Sequence, residues 1–259
     1  MTHFRTRLAL LGTAAVLTAG AAVPAQFAGA QPAAAADRKQ WVALGGSYTA
    51  GVIRAAGNTF EVPRDGCERT DRAYPQVIDR DLGGLFELTN VSCGAATIDN
   101  VTDTPQHPIG RHQPPISVPN RLKTVRHDYD RMLAALHQRD PHAKILAVGY
   151  PTVIPRDAAT CSFGDLAQFG TITQGDLAWL RQGVLESLNK AIDDSTGTQD
   201  AASFVDLYAS SRDHSVCDDS KWVEGFVTLP DQLSFVHPNA LGHRNAADHV
   251  EEAMPNTLG

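Results

Sequence analysis

The sequence predicts a single α/β domain built on a largely parallel sheet. Apolar runs of strand length alternate along it with segments whose apolar residues recur every three or four positions, the order expected of strands separated by helices. The chain beyond a leader-like first thirty residues is long enough for one sizeable core and too short to divide comfortably into two. It carries no internal repeat.

Residues 1–30 read as a signal peptide. Arg5 and Arg7 precede an Ala/Leu/Val run from Leu8 to Val23, and Ala28-Gly29-Ala30 offers the small residues that a signal peptidase accepts. A membrane anchor is the alternative, but the run is only about 16 residues, broken by Gly12, Thr13, Thr18 and Gly20, where a span needs roughly 20. Residues 31–39 follow as an Ala-rich linker and residues 40–259 as the folded domain. The expectation is a secreted protein with no integral membrane span after cleavage, acting as a monomer.

Trp41 to Leu44 is the first strand, entering a Gly45-Gly46 turn. Asn58 to Asp71 reads as loop, Tyr74 to Leu82 as a short helix, and Leu85 to Val91 as the second strand after Gly83-Gly84. From Thr97 to Asn120 five prolines, Pro105, Pro108, Pro114, Pro115 and Pro119, break every helical or central-strand pattern, so an extended loop is expected. Leu122, Val125, Tyr129, Met132, Leu133 and Leu136 then form the stripe of an amphipathic helix over 121–139. Lys144 to Gly149 is a strand. Leu177, Leu180, Val184, Leu188 and Ile192 mark another helix, capped by Thr173 with Asp176 as its acidic partner. Ser203 to Leu207 is the last strand, and Pro238 opens a terminal helix running towards Met254.

The formal net charge is -7, and removal of the leader takes basic residues with it. That argues against nucleic acid or an anionic membrane surface as the main partner. Cys67, Cys93, Cys161 and Cys217 make an even count without a Cys-x-x-Cys pair, which in an exported chain favours disulfides over zinc. The spacings His107/His112 and His243/His249 do not place either pair on one helical face, so no metal is expected. Trp41, Trp179 and Trp222 read as packing residues rather than a carbohydrate platform.

Chemistry concentrates at two places. A serine hydroxyl is a weak nucleophile unless a base takes its proton, and histidine is the usual base. Ser47, presented by the glycine turn after the first strand, and His237, just before the terminal helix, make such a pair. Position 49 is Thr rather than Gly, so the Gly-x-Ser-x-Gly elbow of the α/β-hydrolases is excluded.

Gly45 to Gly51 resembles the first block, Gly-Asp-Ser-Tyr, of the SGNH (GDSL-type) hydrolase superfamily, and within it the secreted actinobacterial lipases and esterases; Gly46 stands where Asp is typical. Asn90-Val-Ser-Cys-Gly-Ala-Ala-Thr97 resembles the second block, with Gly94 or Ala95 at the oxyanion position. Ser234 to His243 is similar to the last block, Ser-Phe-His-Pro-Asn-x-x-Gly-His, with Val236 inserted. The resemblance implies a three-layer, flavodoxin-like fold with helices on both faces of the sheet. It also implies ester hydrolysis through an acyl-Ser47 intermediate, with His237 as base and then acid and the amides of Ser47 and Gly94 or Ala95 holding the oxyanion. No cofactor is needed. The family often sets an aspartate three residues before the histidine, where this chain has Ser234. A backbone carbonyl near Ser234 is expected to orient His237, ahead of Asp231. Relatives also imply the pairs Cys67 with Cys93 and Cys161 with Cys217. The third block, Gly-x-Asn-Asp, whose Asn donates to the oxyanion, is missing between Thr97 and Tyr150, together with its strand. Two other readings follow: a non-catalytic scaffold binding lipid or envelope glycan, and a polysaccharide acetyl esterase.

Overall fold

The computed structural model of the chain describes residues 38–52, 54–55, 58–59, 61–98, 117–229 and 232–254. The expected signal peptide, nearly all of the linker, most of the proline-rich stretch and Asp231 lie outside the described residues.

Two parallel strand pairs form the centre. β1 (Lys39–Ala43) pairs with β4 (Phe86–Asn90), Trp41 opposite Leu88 and Ala43 opposite Asn90. β5 (Ile145–Val148) pairs with β6 (Ala202–Val205), Val148 opposite Val205. Among the described residues β1 pairs only with β4 and β5 only with β6, so the sheet stands in two pieces.

Helices cover both faces of the second piece. α2 (Tyr74–Leu82) and the terminal α7 (Ala240–Ala253) bury Val77, Ile78, Ala247 and Val250 against Phe86 of β4 and Val205 of β6, with Trp41 and Val148 packed alongside. Side chains alternate along a strand, so Phe204 faces away from Val205; its ring stands over Gly149 beside Asn189 of α5 (Ser187–Thr196). The long α3 (Val118–Arg139) packs on α5 in turn. The result is an α/β fold of helix, sheet and helix.

The helix expected after Thr173 runs in three parts. α4 (Gln174–Trp179) passes into a π-helical stretch (Leu180–Glu186) and then into α5. Thr173 caps it, accepting from the Asp176 amide at 3.1 Å and donating to Asp176 Oδ2 at 2.7 Å. Ser187 Oγ donates to the Gln182 carbonyl five residues back, at 2.9 Å, at the end of the wider turns.

Several boundaries differ from expectation for local reasons. α3 begins at Val118 inside the stretch expected as loop, because Pro119 falls in the first turn, where the missing N–H costs nothing. α7 begins at Ala240 rather than Pro238: the Asn239 side chain accepts from the amides of Leu241 and Gly242 at 3.0 and 3.2 Å. Asp206 caps the short α6 (Leu207–Ser210), so Leu207 leaves the strand.

A small antiparallel sheet was not expected. Its order is β3 (Asn58–Thr59), β2 (Arg54–Ala55), β8 (Gln232–Leu233), β7 (Val227–Leu229). Strands of two or three residues are too short to show alternation in sequence. This sheet joins the segment after Ser47 to the one before His237. Disulfides link Cys67 to Cys93 and Cys161 to Cys217.

Candidate active site

Ser47 sits at the carboxyl end of a parallel strand, where open α/β sheets hold their ligands. The β1–β4 ladder is extended by Val91 N–H to the Ala43 carbonyl and Cys93 N–H to the Gly45 carbonyl, both at 3.0 Å. Gly45 has φ 154°. A Cβ there would lie 2.2 Å from Thr49 Oγ1, so the turn needs glycine. At Gly46 a Cβ would stand 3.3 Å from the Ala96 carbonyl, close enough to press on the loop that follows β4. Ser47 then opens the single-turn helix α1 (Ser47–Ala50), which ends at Gly51 with φ 69°.

That loop supplies the second part. Gly94 N–H donates to the Cys67 carbonyl at 2.8 Å and Ala96 N–H to the Cys93 carbonyl at 3.0 Å. Gly94 is therefore committed, and of the two expected amide donors only Ala95 has no hydrogen-bond partner among the described residues. Ala95 has φ 62°, the left-handed region that glycine takes without penalty. Below it, Arg69 Nη1 donates to the Ser92 carbonyl at 2.7 Å and pairs with Asp65.

His237 ends a tight turn. Its amide donates to the Ser234 carbonyl at 3.1 Å, and Phe235 and Val236 between them have φ 44° and 64°. Its Nδ1 lies 3.0 Å from both the Ser234 and Phe235 carbonyl oxygens. Carbonyls only accept, so Nδ1 carries the proton and Nε2 is the basic nitrogen. Ser234 Oγ points elsewhere, donating to the Gly225 carbonyl at 2.7 Å. The inserted Val236 thus folds into a left-handed turn that aims two carbonyls at the imidazole.

Tyr48, the residue after Ser47, lies against this turn. Its ring centroid is 4.8 Å from that of His237, and Tyr150 meets it edge-on at 5.0 Å. Nothing but its place beside Ser47 in the Gly-Asp-Ser-Tyr-like block marks Tyr48 in the sequence. His243, one turn into α7, is buried, and that burial, with His237 adding a smaller push, lowers its pKa to about 4. It is neutral at ordinary pH.

His107 and His112 lie outside the described residues, and His249 faces Glu252 at 3.6 Å on α7. No group of three or more His, Cys, Asp or Glu among the described residues could hold a metal ion. Trp41 packs on the core and Trp222 stacks on His214 at 3.6 Å, while Trp179 is 54% exposed and lays its indole over Gly183 rather than in the core. No helix among the described residues is long and apolar enough to cross a membrane.

Residues 43–244 match the model of the GDSL-like Lipase/Acylhydrolase family. The chain is 26% identical to Lipase 2 of Streptomyces coelicolor, over 93% of this chain and 94% of that protein. It is 23% identical to an esterase of Streptomyces scabiei, over the same shares. Among solved structures, the extracellular lipase of Streptomyces rimosus superposes with TM-score 0.62 at 18% identity, covering 83% of this chain and 100% of the other. Phospholipase A1 of Streptomyces albidoflavus NA297 superposes with TM-score 0.60 at 19% identity, covering 83% and 99%. These two likenesses speak for the fold.

Proposed function

The chain belongs to the GDSL-like lipase/acylhydrolase family, and from that premise we propose that it is a secreted serine esterase or lipase, its domain spanning residues 40–259. The observation that carries the reading is the His237 turn: an imidazole held at Nδ1 by two backbone carbonyls, packed against the residue that follows Ser47.

In this mechanism Nε2 of His237 takes the Ser47 proton as Oγ attacks the ester carbonyl carbon. The proton then passes to the leaving alkoxide, and water repeats the sequence on the acyl-serine. The carbonyls of Ser234 and Phe235 take the orienting role that an aspartate has in a triad, because an Nδ1–H needs an acceptor but not a carboxylate. The Ser47 and Ala95 amides receive the oxyanion. Without the Gly-x-Asn-Asp block one donor is missing, which costs on the order of 2.7–4 kcal/mol, or about 100- to 1000-fold in rate. Slow turnover of activated esters is expected, since good leaving groups ask less of the oxyanion site.

Ser47→Ala in the mature chain is expected to remove turnover of short-chain activated esters without unfolding, and to remove labelling by a serine-directed phosphonate. A folded wild-type chain with neither turnover above that background nor labelling would instead favour the non-catalytic scaffold, the reading that the missing Asn supports.

A further inference from the structure

The turn before His237 is held in a conformation its residues resist. Val236 is β-branched and sits at φ 64°, beside Phe235 at φ 44°. Left-handed residues without glycine cost roughly 1–2 kcal/mol each and persist only where neighbours over-determine them. The neighbours are identifiable. Val236 N–H donates to the Gly225 carbonyl at 3.1 Å, and Phe235 N–H to the Phe226 carbonyl at 3.4 Å. The Val236 carbonyl, on the opposite side of its residue, accepts from Tyr48 Oη at 2.5 Å, across 188 positions of sequence.

The three carbonyls of this turn therefore divide in function. Those of Ser234 and Phe235 face His237 Nδ1, and that of Val236 faces Tyr48. From this geometry we infer that Tyr48 is a positioning residue, its hydroxyl pinning the Val236 peptide so that the turn keeps both carbonyls on His237 while its ring backs the imidazole. The inference rests on the esterase reading for its catalytic consequence. The link is also economical in distance: Tyr48 is bonded to Ser47, so the tie fixes the base relative to the nucleophile's own backbone. The phenol is protonated at neutral pH and hence a donor, and burial pushes its pKa further above the usual value.

Tyr48→Phe removes the hydroxyl and keeps the ring against Tyr150 and His237. It is expected to lower kcat about 10- to 100-fold on an activated ester, as a misplaced catalytic group does, with KM changed less than about twofold. Val236→Gly relieves the left-handed strain, so the hydroxyl should matter less in that background: the Tyr48→Phe loss is expected to shrink at least about threefold in the double-mutant cycle. The His237 Nδ1–H proton resonance gives a reading that needs no turnover; it should be present in the wild type and broadened by Tyr48→Phe. If the wild type is no faster than Ser47→Ala, the esterase reading fails and this resonance alone decides the positioning role. Unchanged kcat, a rise in KM that accounts for the loss, additive effects in the cycle, or an unchanged resonance would each overturn the inference. So would a Tyr48→Phe chain that folds in neither background, because the hydroxyl would then be purely structural.

Discussion

Ala95 is an L-residue at φ 62° where glycine would rest at no cost. Replacing it with Gly removes roughly 1–2 kcal/mol of left-handed strain but adds up to about 1 kcal/mol of unfolded-chain freedom. Ala95→Gly should therefore gain about 0.5–1 kcal/mol in urea unfolding and keep its turnover, since in the proposed mechanism the group offered to the oxyanion is the amide and not the methyl. A loss of stability would mean that the methyl packs favourably. Ser47 and His237 could be proposed from sequence because their segments carry recognisable spacings. The commitment of Gly94 to Cys67, the turn made by Val236 and the reach of Tyr48 were not. Each depends on a dihedral angle or on a contact between segments far apart in sequence.

Among the elements, α7 depends most visibly on one side chain. Asn239 caps two of its amides and also donates through Nδ2 to the Lys221 carbonyl at 2.9 Å and to Glu224 Oε1 at 2.8 Å. Asn239→Ala should cost at least about 1–2 kcal/mol, the usual worth of a cap, read as a lower urea midpoint. Asn239→Ser restores the cap alone and should recover only part of it. The long elements could be read from sequence because α3 and the helix after Thr173 carry apolar stripes over several turns. The two-residue strands of the small sheet carry no such pattern, and pairing between positions near 55 and 232 is set by tertiary packing.

For the molecule as a whole, His243 couples folding to pH. Its pKa falls from 6.5 to about 4 on folding, so the unfolded chain binds more protons between those values. The contribution is complete above about pH 6.5 and drains as pH falls towards 4. At about 1.4 kcal/mol per unit it amounts to about 3 kcal/mol. Urea unfolding at pH 7 and at pH 4.5 should show the wild type losing about 2–3 kcal/mol more than His243→Gln; equal losses would remove His243 from the account. The Cys67–Cys93 bond bears on the molecule in another way. It closes a span of 26 residues, worth about 3.5 kcal/mol in chain entropy at 25 °C. Cys67 also anchors Gly94 through its carbonyl, so the bond and the hydrogen bond together brace the turn that bears Ala95. Under the proposed mechanism, a freshly made copy in thiol-rich surroundings would have the serine and the histidine but an unbraced receiver for the developing charge. The open thiols would then act as a safety catch, released only where the medium lets the sulfurs join.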